Sequence, residues 1–178
     1  MKNFLITLII ILIPVKSFGL IEVDITRGNL NPLPIAVSPL SIDEESRKNF
    51  ENILKKKNIG SEISSIVENN LKVSGLFNPL NKDAFLQEPD IANLKPRFED
   101  WNLIKAQALI TGKVSYVEEK LRVEFRLWDV LAGKEMMALA FTTVPNNWRR
   151  VGHIITDKVY ERLTGETVSY THLTLPTN

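Results

Sequence analysis

The chain has 178 residues, 44% of them hydrophobic and 24% charged, with a net charge of +1. That length sets a prior of one globular domain, and the apolar content suits a packed core and excludes an intrinsically disordered chain. The near-neutral balance gives no electrostatic basis for a nucleic-acid partner or an anionic membrane surface. The absence of cysteine excludes a disulfide framework and thiolate chemistry.

Residues 1–19 read as a signal peptide. Lys2 supplies the basic start, residues 4–15 form an apolar run broken only by Thr7 and Pro14, and Ser17 and Gly19 place small residues before a cut at Leu20. The run falls short of the roughly 20 apolar residues of a spanning helix. Cleavage near Gly19 is therefore expected rather than an anchor, although Lys16 is unusual so close to the cut. Gly19 is not a lipobox cysteine, so the expected product is exported and not membrane-embedded. Losing Lys2 and Lys16 reduces the 22 basic residues to 20 against 21 acidic ones, a net charge of −1.

Residues 20–26 (LIEVDIT) alternate. Ile21, Val23 and Ile25 lie on one side, with Leu20, Glu22, Asp24 and Thr26 on the other, which predicts a strand with a clean apolar face. Arg27-Gly28-Asn29 ends it. Residues 34–40 (PIAVSPL) form a proline-bounded apolar run, a second strand. Residues 41–57 predict a helix with Asp43, Glu44 and Glu45 at its start and Lys55, Lys56 and Lys57 at its end, complementing the helix dipole. Ser61 is a candidate cap for a second helix carrying Ile63, Ile66, Val67 and Leu71, with Gly75 as its stop.

Residues 78–97 hold Pro79, Pro89 and Pro96 and read as irregular, with a short turn at 83–86. Residues 98–106 predict one short helix. Three strands follow at 108–117, 121–129 and 136–144, the first two joined by a tight turn at Glu118-Glu119-Lys120, making a β-meander. Residues 148–163 predict an amphipathic helix on Val151, Ile155, Val159 and Leu163, capped by Asn146 or Asn147 and closed by Gly165. The fold class is α+β: a mixed β-sheet of about five strands with helices packed on it.

Catalytic constellations are scarce. The histidines are His153, on the last predicted helix, and His172, and neither has a nucleophile or metal partner in its local sequence. Two histidines without cysteine make a structural zinc site a poor reading, and no phosphate-binding glycine motif or nucleophile elbow occurs. Glu99-Asp100 and Glu118-Glu119 are adjacent pairs that diverge on a helix or strand, so they read as surface and turn rather than an acid–base dyad. Lys55-Lys56-Lys57 reads either as a basic patch or as dipole complement and solubility. Arg149-Arg150 opens a helix, where cations are mildly unfavourable, and is a candidate for contact with an acidic group, for example on a neighbouring domain. Cofactors: none are implied.

Several segments, in order, resemble the N-terminal domain of the TolB family. They are Glu22-Val23-Asp24-Ile25-Thr26-Arg27-Gly28, Pro34-Ile35-Ala36-Val37-Ser38-Pro39-Leu40, Ser74-Gly75-Leu76-Phe77 and Phe98-Glu99-Asp100-Trp101. Next come Ala108-Leu109-Ile110-Thr111-Gly112, Phe125-Arg126-Leu127-Trp128-Asp129-Val130, Arg149-Arg150-Val151-Gly152-His153 and Tyr160-Glu161-Arg162-Leu163-Thr164-Gly165-Glu166. The resemblance covers residues 1–167. It implies an α/β N-terminal domain followed by a six-bladed propeller that binds the lipoprotein Pal. It also implies a periplasmic, non-enzymatic adaptor of the Tol–Pal system that supports outer-membrane integrity and cell division and is exploited by group A colicins. The segment at the mature N-terminus would bind the C-terminal domain of TolA, through Glu22, Val23, Asp24, Ile25, Thr26 and Arg27. An alternating strand at a chain end is physically suited to strand addition, the alternative being that it pairs within its own sheet.

The expected organisation is a signal peptide at 1–19, a TolB-like N-terminal domain at 20–167, and a tail at 168–178 that departs from the family. The tail reads as non-native or disordered, the chain being cut before the propeller, so Pal would be reached only through the missing propeller. The alternative function is a free-standing periplasmic α+β regulatory or ligand-binding module, which a pocket with convergent polar groups would favour.

Overall fold

The proline-bounded run that opens on Leu33 is buried on both faces, as the continuous apolar pattern of a central parallel strand requires. This is β1 (Leu33–Val37), in a computed structural model that describes residues 31–166. The leader at 1–19, the strand expected at 20–26 with Glu22 through Arg27, and the tail at 168–178 lie outside the described residues.

After β1 the strand is interrupted at Ser38-Pro39-Leu40 and resumes along the same neighbouring strand as β2 (Ser41–Ile42), which pairs with Lys113 and Val114. That pairing moves the first helix: α1 (Glu44–Leu54) starts after Asp43, whose Oδ1 accepts the Ser46 N–H at 2.8 Å. It ends at Leu54 with Lys55 in the left-handed conformation, so the lysine triplet lies beyond the helix rather than on its last turn. α2 (Ile59–Val73) begins at Asn58, and Ser61 is inside its first turn rather than its cap. The start is fixed by burial, because Ile59 is fully buried and Gly60 lies against Leu40.

The proline-rich stretch is more regular than expected. It contains β3 (Phe77–Pro79), a 3-10 turn at Lys82–Ala84 and α3 (Pro89–Leu94), which opens on proline, the residue best tolerated in a first helical turn. α4 (Phe98–Leu103) is shorter than the predicted helix. The meander forms as expected, from β4 (Ala108–Val117), β5 (Lys120–Asp129) and β6 (Lys134–Thr143). α5 (Trp148–Thr164) follows a 3-10 turn at Pro145–Asn147. Asn147 makes no side-chain cap and instead donates to Thr143 Oγ1, while Gly165 closes the helix at φ +74°.

The six strands among the described residues are ordered β3-β1-β4-β5-β6, with β2 also on β4. β1 is parallel to β3 and β4, β2 is parallel to β4, and the β4-β5-β6 part is antiparallel, so the sheet is mixed as expected. Four of the five predicted strands lie among the described residues and are found, with β2 and β3 added.

Alternation divides the apolar residues between two cores. Leu121, Val123, Phe125 and Leu127 of β5 face α1, α2 and α5 together with Phe50, Ile63, Leu71, Ile155 and Leu163. Each such residue stabilises the fold by about 1.5–3 kcal/mol. On the opposite face a smaller cluster of Ala36, Trp101, Ala106, Leu109 and Val130 is covered by the segment carrying α3 and α4. There the Trp101 Nε1–H and the Arg97 N–H both donate to the buried Gln87 Oε1, at 2.7 and 2.9 Å. α2 and α5 pack side by side in the same direction: Gly152 meets Ile63 and Ile66, and Asn70 meets His153 and Thr156. No helix among the described residues is long and apolar enough to cross a membrane.

Candidate functional site

The sequence places its candidate site, Glu22, Val23, Asp24, Ile25, Thr26 and Arg27, just ahead of β1. Those residues lie outside the described ones; what the fold defines is the place where their segment joins the domain. Leu33 donates its N–H to the Leu76 carbonyl and pairs with Phe77, whose ring meets Tyr160 near the end of α5 at 6.1 Å. Ile35 pairs with Ala108, Ala108 with Asp129, and Asp129 with Lys134, so β1, β3, β4 and β6 all begin at this end. Arg162 of α5 reaches the Met136 carbonyl at 3.3 Å. The described chain therefore starts and finishes at one end of the sheet, Asn31 before β1 and Glu166 after α5.

The chemistry-bearing residues read from sequence do not assemble. His153 is exposed, its Nδ1 2.8 Å from Asn70 Nδ2. Asp100 pairs with Arg97 on the surface. Glu118 and Glu119 form the two-residue turn between β4 and β5, both left-handed, at φ 49° and 60°. Among the described residues no group of three or more His, Asp or Glu is placed to hold a metal ion.

Two carboxyls are displaced from their ordinary range. Burial pushes Asp157 up, and the neighbouring charges of His153 and Lys158 only partly offset it. At Asp43 burial opposes ionisation, yet the hydrogen bonds from Ser46 and the charge of Lys113 outweigh it and hold the carboxyl low. Asp43 is thus the α1 cap beside Lys113, and Asp157 lies on α5 among the charges of His153 and Lys158.

A cleft of about 460 Å³ opens between the first turns of α2 and α5, at the end opposite the chain's entry and exit. Asn58, Ser61, Glu62, Ile66, Trp148, Arg149 and His153 are among the residues that line it. No sequence signal announced it, because its two walls come from helices far apart along the chain.

These features define a class: an α+β domain of mixed sheet and paired parallel helices, whose described ends emerge together. The family described as the TolB amino-terminal domain matches residues 21–136. The Tol-Pal system protein TolB of Pelagibacter ubique (strain HTCC1062) is 81% identical over 159 residues, covering 89% of this chain and 36% of its own length. The crystal structure of TolB from Acinetobacter baumannii superposes with a TM-score of 0.61 at 21% identity, over 77% of this chain and 29% of that one, a likeness of fold. The chain belongs to the TolB family, and it spans about a third of the length of the curated relative it matches.

Proposed function

We propose that this chain is a periplasmic, non-enzymatic adaptor of the Tol–Pal envelope system that binds the C-terminal domain of TolA through an N-terminal strand. Glu22, Val23, Asp24, Ile25, Thr26 and Arg27 are its contact residues, residues 1–19 its export signal, and 20–167 its adaptor domain. The observation that carries the reading is the start of the family match at Ile21, which takes the alternating segment into the TolB amino-terminal domain. That segment suits strand addition: its backbone supplies a ladder of hydrogen bonds, and its alternate side chains supply selectivity. Maintenance of the outer membrane and support of constriction follow from that link. Pal binding belongs to the propeller of the longer family members.

The position of the junction supports a switch. The described chain starts and finishes at one end of the sheet, which is compatible with a segment that is docked in one state and free in another. Calorimetry of residues 20–167 against the TolA C-terminal domain, beside a version lacking 20–27, tests the reading. Binding that disappears with the strand supports it. No binding by either folded version overturns it in favour of a free-standing regulatory module.

A further inference from the structure

Two basic motifs, far apart along the chain, converge on one tryptophan. Trp148, 5% exposed, opens α5 at the wall of the cleft between α2 and α5. The Lys56 ammonium stands 5.3 Å from its ring centroid, and the Arg149 guanidinium 4.2 Å. Lys56 is neutralised by Glu62 at 2.6 Å. Arg149 and the adjacent Arg150 have no carboxylate within ion-pair distance among the described residues. Lys57 has only a 3.4 Å contact with Glu51, between two largely exposed side chains.

One cation over an indole is a common way to cover an aromatic ring. A second cation on the same ring is repelled by the first unless an anion sits near both, and Glu62 serves only one of them. The local structure adds to the imbalance, because Arg149 and Arg150 occupy the first turn of a helix, where positive charge is unfavourable. The cleft beside Arg149 has an apolar wall in Ile66 and Trp148, hydroxyl and amide groups from Ser61 and Asn58, and the Glu62 carboxylate, which is taken up by Lys56. An arginine fork beside such a wall matches a carboxylate flanked by an apolar side chain.

We propose that this cleft is a docking site for an acidic segment of a partner protein. A carboxylate of that segment engages the Arg149 guanidinium, and a neighbouring aliphatic or aromatic side chain lies along Ile66. The site is separate from the proposed TolA-contacting strand, which joins the domain at its opposite end, so the two partners could be held at once. A protein segment is favoured over an anionic lipid surface by shape: the cations flank a concavity, and its largest apolar group is buried and cannot insert into a bilayer.

The test is selection from a random dodecapeptide display library on the exported chain, followed by titration of the enriched peptides against the parent, R149E and R149K. Thermal melting first verifies that each variant is folded. The proposal expects acidic residues next to an apolar one in the enriched peptides, at least tenfold weaker binding to R149E, and an intermediate loss for R149K. It also expects weakening in high salt and amide shifts at Ser61, Arg149 and His153 on binding. Peptides without acidic residues, equal binding by R149E, or no enrichment on the folded parent would overturn it. So would Arg149-dependent binding to phosphatidylglycerol vesicles without peptide enrichment, which would assign the cleft to a lipid surface.

Discussion

Ser64 tests the packing that turns the chain from β1 into its helices. Its side chain lies in α2, 1% exposed, and its hydroxyl oxygen accepts the Leu40 N–H at 3.0 Å. The single hydroxyl proton can go to the Gly60 carbonyl at 3.0 Å or the Ser38 carbonyl at 3.1 Å. Replacing Ser64 with alanine removes two hydrogen bonds, one accepted and one donated, and leaves the buried Leu40 N–H without an acceptor. An unsatisfied buried donor costs about 1–3 kcal/mol, while alanine's better helix propensity returns roughly 0.5 kcal/mol. The expected loss is therefore about 2 kcal/mol, or about 5–8 °C in Tm for a domain of this size. Urea unfolding followed by circular dichroism measures it, with the slope unchanged between parent and S64A. The same node can be strained from its other side, because a Cβ on Gly60 would come within 2.1 Å of the Leu40 carbonyl oxygen. S64A within about 0.5 kcal/mol of the parent would refute this account of how β1, β2 and α2 are pinned.

Other perturbations probe the turn and the charges. Replacing Glu118-Glu119 with Asn-Gly should stabilise the domain by about 1 kcal/mol in urea unfolding, because both positions are left-handed and that pair is the preferred one for a two-residue hairpin turn. D43A should cost about 1 kcal/mol at neutral pH through loss of the α1 cap. The Asp43 carboxyl is held low in the fold, so its contribution is present above the unfolded value and disappears as pH falls through the lowered one. D43A should accordingly weaken the acid dependence of stability. Asp157 has the opposite sign. Its folded pKa is raised, so its contribution favours the fold when protonated and is lost as pH rises from the unfolded value through the raised one. D157N should therefore be more stable than the parent at neutral pH and should lose that downward slope in a pH series of unfolding midpoints.

The parts of the fold that were legible in the sequence are those whose neighbours are local. β5 could be read from Leu121, Val123, Phe125 and Leu127 alternating with charged residues, and α5 from Val151, Ile155, Val159 and Leu163, because each pattern carries its own period. β3 could not, since Phe77-Asn78-Pro79 is too short to show a period and becomes a strand only by pairing with Leu33, Pro34 and Ile35. α3 was hidden by Pro89, which breaks a helix from inside but opens one comfortably. Ser61 looks like the cap of α2, whereas the tertiary burial of Ile59 and the packing of Gly60 against Leu40 start the helix earlier. The candidate site divides in the same way. The alternation of residues 20–26 is visible in the sequence, but what such a segment would pair with is a non-local choice that no period encodes. The meeting of Lys56 and Arg149 on Trp148 is tertiary too, a product of α2 and α5 lying side by side.

Amide hydrogen exchange across residues 20–33, measured with and without the TolA C-terminal domain, goes most directly to the proposed adaptor role. Strand addition predicts that backbone amides between Glu22 and Arg27 become protected on binding, with alternate residues most strongly slowed because only every second N–H of an edge strand faces the partner. Protection confined to other surfaces, with 22–27 exchanging as fast as in the free chain, would contradict it.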